Sequence, residues 1–398
     1  PTSISLETWP KASPSNEAPC CWPTPPRPAA RSMVDGKRIV QATAIVTAIA
    51  LIVKGLGFVE KLLLAYFFGT GIEVDAYLAV YSVIFSAFVV LREVIKPSFL
   101  PTFLHTRRGG QKRDGDASAG SEWRLFRIVG TLLFLLLGIV AILGILFADP
   151  LISLVAPGFT GEQSILAVRL ARIITPALLL LGLSSLTTAT LHAQKRFTLP
   201  ALGDACFRTG PLLLLLLAGG VQGMAVGVVL GALAKLSLEA FGLRRYLRGL
   251  RPLLDLAFPP VRTVGRLAAP LFAGFFFSLF VAPLVENAFA SQTGVGGVSA
   301  LAYARKIAET LTTTLPYTLG LVLLPFSAEM AAGRDQRALA NTLVRAIKGL
   351  TLIFMPVTLG LMVLRQPFIQ LLLERGAFTA ASTQLTAGPL LFYAVALL

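Results

Sequence analysis

Apolar residues run along this chain in blocks of twenty or more, separated by short polar stretches, nearly from end to end. A block of that length matches a helix crossing a hydrocarbon core of about 30 Å. The strict apolar/polar alternation of a membrane barrel is absent, so helices are what remains to satisfy the backbone in lipid. The blocks fall near residues 39–68, 75–104, 125–147, 164–191, 197–217, 221–243, 265–290, 298–327, 340–364 and 383–398. The expected fold class is an all-α polytopic membrane protein with about ten transmembrane helices. Pro176, Pro270, Pro283, Pro316 and Pro356 lie inside these blocks, where each removes a backbone hydrogen bond and is expected to bend its helix.

The pattern repeats. "TGIEVDAYLAVYSV" followed by "SFLPTFL" is echoed by "TGVGGVSALAYARKI" followed by "VLLPFSAEM". Likewise "DPLISLVAPGFTGEQSILAVRLARIITPALLLLGL" is echoed by "QPFIQLLLERGAFTAASTQLTAGPLLFYAVALL", and both pairs are offset by roughly 220 residues. Two homologous helical bundles of the kind transporters use are therefore expected. The division reads as residues 1–36 an extension, disordered or non-native; 37–245 a six-helix bundle; 246–264 a cytoplasmic linker; and 265–398 a second bundle of four helices. Leu398 corresponds to about residue 179 of the first half, so the second bundle is expected to be incomplete: a fragment, or a truncated product. Residues 1–36, rich in Pro, Ser and Ala and lacking an apolar run, fit neither a signal peptide nor a folded element, and Met33 is the expected natural start.

Composition agrees with the pattern: 55% of residues are hydrophobic and 14% charged, against about a quarter charged in soluble domains. The net charge of +15 would suggest nucleic acid in a soluble protein. Here the basic residues sit in one set of loops. "HTRRGGQKRDGDASAGSEWRLFR" holds six Lys/Arg, "HAQKR" two, and the stretch Arg244 to Arg266 six, whereas "GTGIEVD", "ADPLISLVAPGFTGEQ", "AGGVQG" and "SQTGVGG" hold none. The positive-inside rule places the basic set and the N-terminus in the cytoplasm. Their expected partners are anionic headgroups of membrane lipids rather than nucleic acid. Cys20, Cys21 and Cys206 form no ligand or redox spacing, and with only His105 and His192, no HExxH, no Walker loop and no Asp-rich diphosphate motif, an enzyme is not expected and neither is a cofactor or metal.

Charges nevertheless occur within the spans. Lys54 lies about 24 Å from Arg38 and Lys61 about 12 Å from Gly69, both inside the hydrocarbon zone and, seven residues apart, on one helix face. Glu60 stands beside Lys61; the second block adds Arg92, Glu93 and Lys96, the seventh Glu286, and the eighth Arg305, Lys306 and Glu309. A charge at the bilayer centre costs at least about 2.5–3.5 kcal/mol. Individually these residues could snorkel or pair. As a set on corresponding helices of both halves they are better explained by a polar cavity between the bundles, where an excess of Lys/Arg suits an anion such as a diphosphate.

"GLGFVEKLLLAYFFGTGIEVDAYLAVYSV", "LVAPGF", "KRFTLPALGD", "SALAYARKI" and "RGAFTA" resemble the MurJ/MviN family of lipid II flippases, in the MOP superfamily that also holds the MATE exporters. The resemblance runs from about residue 38 to the C-terminus. It implies a MATE/MOP-like fold of two six-helix bundles in a V, with two further helices, around a cationic cavity that alternates its access. It further implies a protein of the bacterial inner membrane that moves a polyprenyl-diphosphate-linked peptidoglycan precursor, and a monomer is expected. The charges within the spans, together with the matched Asp75, make Lys54, Glu60, Lys61, Asp75, Arg92, Arg305, Lys306 and Glu309 the candidate substrate-binding residues. The family's first-helix motif Ser-Arg-Val-Leu-Gly-Phe-x-Arg-Asp is altered: Lys54 stands at the first Arg, Glu60 at the second and Lys61 at the Asp. Asp75 matches the Asp after the family's turn, and Tyr303, Ala304, Arg305 and Lys306 stand for Tyr-Ala-Asp-Arg. Positive charge is kept while the guanidinium fork is partly lost. The other readings are a MATE-like exporter of organic cations, which would want an acidic cavity, an O-antigen-type exporter, and a scaffold without transport.

Overall fold

The computed structural model describes residues 31–112, 120–247, 252–311 and 336–396, and among these every regular element is helical. Among the described residues seven stretches are long and apolar enough to cross a membrane: Ile72–Arg107, Ser121–Leu146, Glu162–Ala193, Thr198–Ala218, Gly220–Gly242, Pro259–Ser291 and Ala340–Val363. The other three expected spans differ for separate reasons. The described part of α1 (Arg31–Phe68) carries Lys54, Glu60 and Lys61, the block at 298–327 is described only to residue 311, and the last helix has 16 residues. The expected extension over residues 1–36 lies outside the described residues up to residue 30, and α1 begins at Arg31.

Helix α2 (Ile72–Lys112) is 41 residues long. At 1.5 Å per residue that is about 60 Å, twice the hydrocarbon thickness, because polar residues beyond the apolar block continue the helix out of the membrane. Its N-terminal half is the axis of the packed interior: Val74, Ala76, Tyr77, Leu78, Ala79 and Val80 are all buried. The next elements are α3 (Ser121–Leu146), α4 (Ala148–Val155), α5 (Glu162–Ile174) and α6 (Pro176–Ala193). The expected block at 164–191 is thus two helices. Pro176 opens the second, at a position where its missing N–H costs nothing.

Helices α7 (Thr198–Ala218) and α8 (Gly220–Gly242) pack backbone to backbone. Gly223, Gly227 and Gly231 recur at every fourth position of α8, and a Cβ added at Gly227 would fall on the Gly210 carbonyl, one at Gly231 on the Phe207 carbonyl. Lipid gives helices no hydrophobic reason to associate, so close approach through small residues supplies the attraction instead. After the short α9 (Arg244–Leu247) come α10 (Pro259–Phe275), a six-residue π-helical stretch Phe276–Val281 and α11 (Ala282–Ser291). The wide turn ends where Pro283 cannot donate, which is how such bulges arise. Residues 297–311 form α12, followed by α13 (Gln336–Val363), α14 (Arg365–Leu373) and α15 (Ala380–Val395). Pro270 and Pro356 lie inside α10 and α13, and Pro316 lies outside the described residues.

The internal repeat is visible in three dimensions. In both halves a short helix, a tight turn and a longer helix recur, as α4–turn–α5 and α14–turn–α15, with Phe159 and Phe378 buried at matching places. The halves exchange contacts. Gly158 N–H in the first turn donates to Ser291 Oγ at the end of α11, and Ala377 N–H in the second donates to the Tyr66 carbonyl near the end of α1. Side chains of α3 such as Phe134, Leu136, Ile139 and Ile142 remain outward, where acyl chains would cover them.

Since the α7–α8 contact has no room for a side chain, Gly227→Leu should destabilise the fold by at least about 1–3 kcal/mol. A lowered unfolding midpoint of the detergent-purified variant checks this, and an unchanged midpoint would show that the two helices can separate at no cost.

Candidate functional site

The turns at 69–75 and 290–298 meet, and a carboxylate joins them. Asp75, with no exposed surface, accepts the backbone N–H groups of Gly296 at 2.6 Å and Ser299 at 2.7 Å. These are unsatisfied donors at the start of α12, where a helix dipole favours negative charge. Asp75 therefore caps a helix more than 200 residues away in the chain. Around it, Tyr303 Oη donates to the Gly69 carbonyl at 3.0 Å and the Thr70 and Ser382 hydroxyls lie 2.8 Å apart. Gly69 has φ +58°, and a Cβ there would collide with the Ala377 carbonyl, so this corner needs glycine. The result is a polar seam between the two halves.

The cavity lies directly beneath. Leu78 and Val298, which line it, follow Asp75 and Gly296 by three and two residues, so the seam forms its roof. Its volume is about 260 Å³. That is near the lower limit of about 300 Å³ for small-molecule pockets, enough for a diphosphate-sized group. Four cationic side chains, Lys61, Arg208, Arg305 and Lys306, and one carboxylate, Glu309, line it among the described residues.

Each cation is held differently. Glu60, 1% exposed, lies 3.5 Å from both Lys61 and Arg208 and pins them from behind. Arg208 also donates to Tyr81 Oη at 3.1 Å and stacks over Phe85, whose ring lies against Tyr81. Arg305 is compensated by Glu286 at 2.6 Å and Glu309 at 3.8 Å. Lys306 is half-buried, and among the described residues its ammonium has neither a hydrogen bond nor an ion pair. It converges with Arg208 over the bare backbone of Gly57, where a Cβ would be 3.8 Å from Lys306 Nζ and 3.8 Å from the Arg208 guanidinium carbon.

Of the eight residues singled out in the sequence, the cavity brings together Lys61, Arg305, Lys306 and Glu309, with Glu60 immediately behind. Lys54 is exposed outside the lining, though close enough for Lys306 to feel its charge. Arg92 is exposed on α2, 3.1 Å from Glu93 and against the Phe88 ring, away from the cavity. Asp75 belongs to the seam. Arg208 was not anticipated, although an arginine ten residues into the apolar α7 carries the same signal as Lys61. Asn287, whose amide donates to Ser82 Oγ across the cavity wall, had no signal beyond being polar within an apolar block.

The sequence profile of the family described as "Lipid II flippase MurJ" matches residues 64–398. The chain is 28% identical over 311 residues to a probable lipid II flippase MurJ of Bdellovibrio bacteriovorus, covering 76% of this chain and 58% of that protein. To the lipid II flippase MurJ of Burkholderia cenocepacia it is 25% identical over 371 residues, covering 90% of this chain and 70% of the other. Among solved structures, one described as lipid II flippase MurJ in an inward closed conformation superposes with a TM-score of 0.73 at 21% identity, over 89% of this chain and 72% of that one. The chain thus spans between about three fifths and three quarters of the length of these three proteins.

With Cys20, Cys21 and Cys206 replaced by serine, Thr70→Cys/Ser382→Cys should cross-link under mild oxidation, because the two side-chain oxygens already lie 2.8 Å apart. Adding Asp75→Ala, which removes two charge-assisted bonds worth about 1.5–3 kcal/mol each, should lower the cross-linked fraction on a denaturing gel. Equal cross-linking with and without Asp75 would mean that the carboxylate does not hold the seam.

Proposed function

The chain belongs to the lipid II flippase MurJ family, a family of transporters rather than catalysts, and we propose that it carries the diphosphate-sugar headgroup of lipid II across the cytoplasmic membrane. The lipid tail stays in the bilayer while the headgroup passes through the cavity between the halves. The observation that carries this reading is Lys306: a half-buried ammonium with no hydrogen bond or ion pair among the described residues, converging with Arg208 and flanked by Lys61. Glu309 and Glu60 act on this ammonium through their fields rather than through a bond, so part of its desolvation cost remains, and a phosphate oxygen bonded to it removes that cost. Lys61 and Arg208, each only weakly paired at 3.5 Å, can extend the same contact to the second phosphate while Glu60 keeps them from repelling one another when the site is empty. Arg305, already neutralised by two carboxylates, sets the wall rather than the binding.

A cavity with this balance disfavours organic cations, which sets the MATE-like reading aside. The basic loops support an N-terminus in the cytoplasm and the Asp75 seam on the opposite side, and on this reading the structure is closed outward. The same proposal takes residues 37–245 and 265–398 as the two bundles that rock about the linker 246–264, the seam opening as the cytoplasmic ends close. The chain acts as a monomer.

Lys306→Ala should weaken binding of fluorescent lipid II to the nanodisc-embedded protein about tenfold or more, one lost charge-assisted bond being worth about 1.5–3 kcal/mol. Arg208→Ala should do the same, and Arg92→Ala should leave affinity unchanged. Undiminished affinity in Lys306→Ala, with the folded fraction intact, would remove the diphosphate assignment.

A further inference from the structure

A second set of charges lies among α6, α7 and α8, with Glu239 and Lys235 buried and Asp204 half-exposed, and none of its members lines the cavity. Glu239 is completely buried, and Lys235, one turn earlier on α8, is 3% exposed. Lys235 Nζ donates to Glu239 Oε1 and to Asp204 Oδ1, both at 2.8 Å. Ser184 and Thr187 hydroxyls donate to Glu239 Oε2, and the Thr188 hydroxyl donates to Oε1 at 2.8 Å. The α7 backbone closes over this group at Gly203, where an added Cβ would press on Lys235 Cγ and Glu239 Oε1.

Two carboxylates and three hydroxyls converge here from three helices. That is an all-oxygen donor set, the kind that hard cations take. A fully buried carboxylate facing a half-exposed one favours a cation between them, and the structure shows which one fills that place. We propose that Asp204 and Glu239, with Ser184, Thr187 and Thr188, form a monovalent-cation site whose permanent occupant is the chain's own Lys235 ammonium. The counter-ion is tethered, so this site takes none from solution. A bath cation that drives transport then has to bind elsewhere in the protein. Asp204, 47% exposed, is the side from which a bath cation would enter if the tether were cut. The hydroxyls, which now donate to Glu239, can rotate to offer lone pairs instead.

The test cuts the tether. Lys235→Ala leaves two carboxylates without their cation and should lower the unfolding midpoint of the detergent-purified protein by roughly 6 °C or more. Sodium chloride or propylammonium chloride, the latter matching the missing side chain, should raise that midpoint saturably by about 2 °C or more relative to choline chloride at equal ionic strength. Lys235→Ala/Glu239→Gln should not respond. If neither cation stabilises Lys235→Ala, the oxygen cluster is no cation site and the proposal falls. If Lys235→Ala does not fold, the parent and Asp204→Asn decide: equal sodium responses in both support a site already filled, and a sodium stabilisation of the parent that Asp204→Asn abolishes overturns it.

Discussion

A charge held in hydrocarbon must be given a partner, and the arrangement of this protein follows from how that demand is met. Glu60 answers Arg208 and Lys61, Glu286 answers Arg305, Lys235 answers Glu239, and the start of α12 answers Asp75. Two of these pairings, Glu60 with Arg208 and Asp75 with the start of α12, join helices that the chain places far apart, so there neutralising the charges and assembling the bundle are one process. Glu60 reaches α7, 148 residues on, and Asp75 reaches α12, 221 residues on. Breaking such a pair from one side costs about 3–5 kcal/mol, more than most single apolar contacts. Among the described residues Lys306 has no hydrogen bond or ion pair of this kind, only the longer-range fields of Glu309 and Glu60, and such a residue is where a ligand has something to contribute.

The seam uses the repeat in a second way. Because each half presents a tight turn to the end of the other half's helix, Gly158 to Ser291 and Ala377 to Tyr66, the closure is doubled about an approximate two-fold relation. The contacts are mostly single hydrogen bonds with a net worth of about 0.5–1.5 kcal/mol each. A closure built from several such bonds and one buried carboxylate holds firmly yet can be undone in steps. A large apolar plug in the same place would not allow that.

Much of this was legible in the sequence. The helices and their order follow from apolar blocks without barrel-type alternation, since lipid permits only helices and closed barrels, and the repeat follows from the paired motifs. Lys61, Arg305, Lys306 and Glu309 were legible as cavity residues because an ionised side chain inside an apolar block has few alternatives. Arg92 obeyed the same logic and lies elsewhere: at that level Val90, Val94 and Ile95 are buried while the face of α2 that carries Arg92 is exposed, and hydropathy does not tell which way a helix is turned about its axis. Asp75 could be recognised as a matched position but not as a cap, because its partners are backbone N–H groups, which leave no trace in composition. Arg208 lies inside the expected span 197–217 and carries the same signal as Lys61, and the Lys235–Glu239 pair reads as an ordinary i,i+4 bridge until the α6 hydroxyls are seen to close on it. Helix lengths were understated wherever polar residues prolong a helix beyond the bilayer, as in α2.

The seam and the cavity are carried by the same two helices. On α2, Asp75 is followed by Leu78, Tyr81 and Phe85 of the cavity wall; on α12, Ser299 is followed by Arg305 and Lys306. A rigid helix cannot move its end without moving its middle. Parting Asp75 from α12 therefore changes the distance between Lys306 and the Lys61–Glu60–Arg208 group, and with it the affinity for any anion that bridges them. By linkage the converse holds: an anion that draws these cations together biases the seam by the difference between its affinities for the closed and open arrangements. A ligand bound equally well in both would shift nothing. The loose 3.5 Å pairings of Glu60 matter for this reason, since cations that are only weakly held can follow the ligand and leave the carboxylate behind.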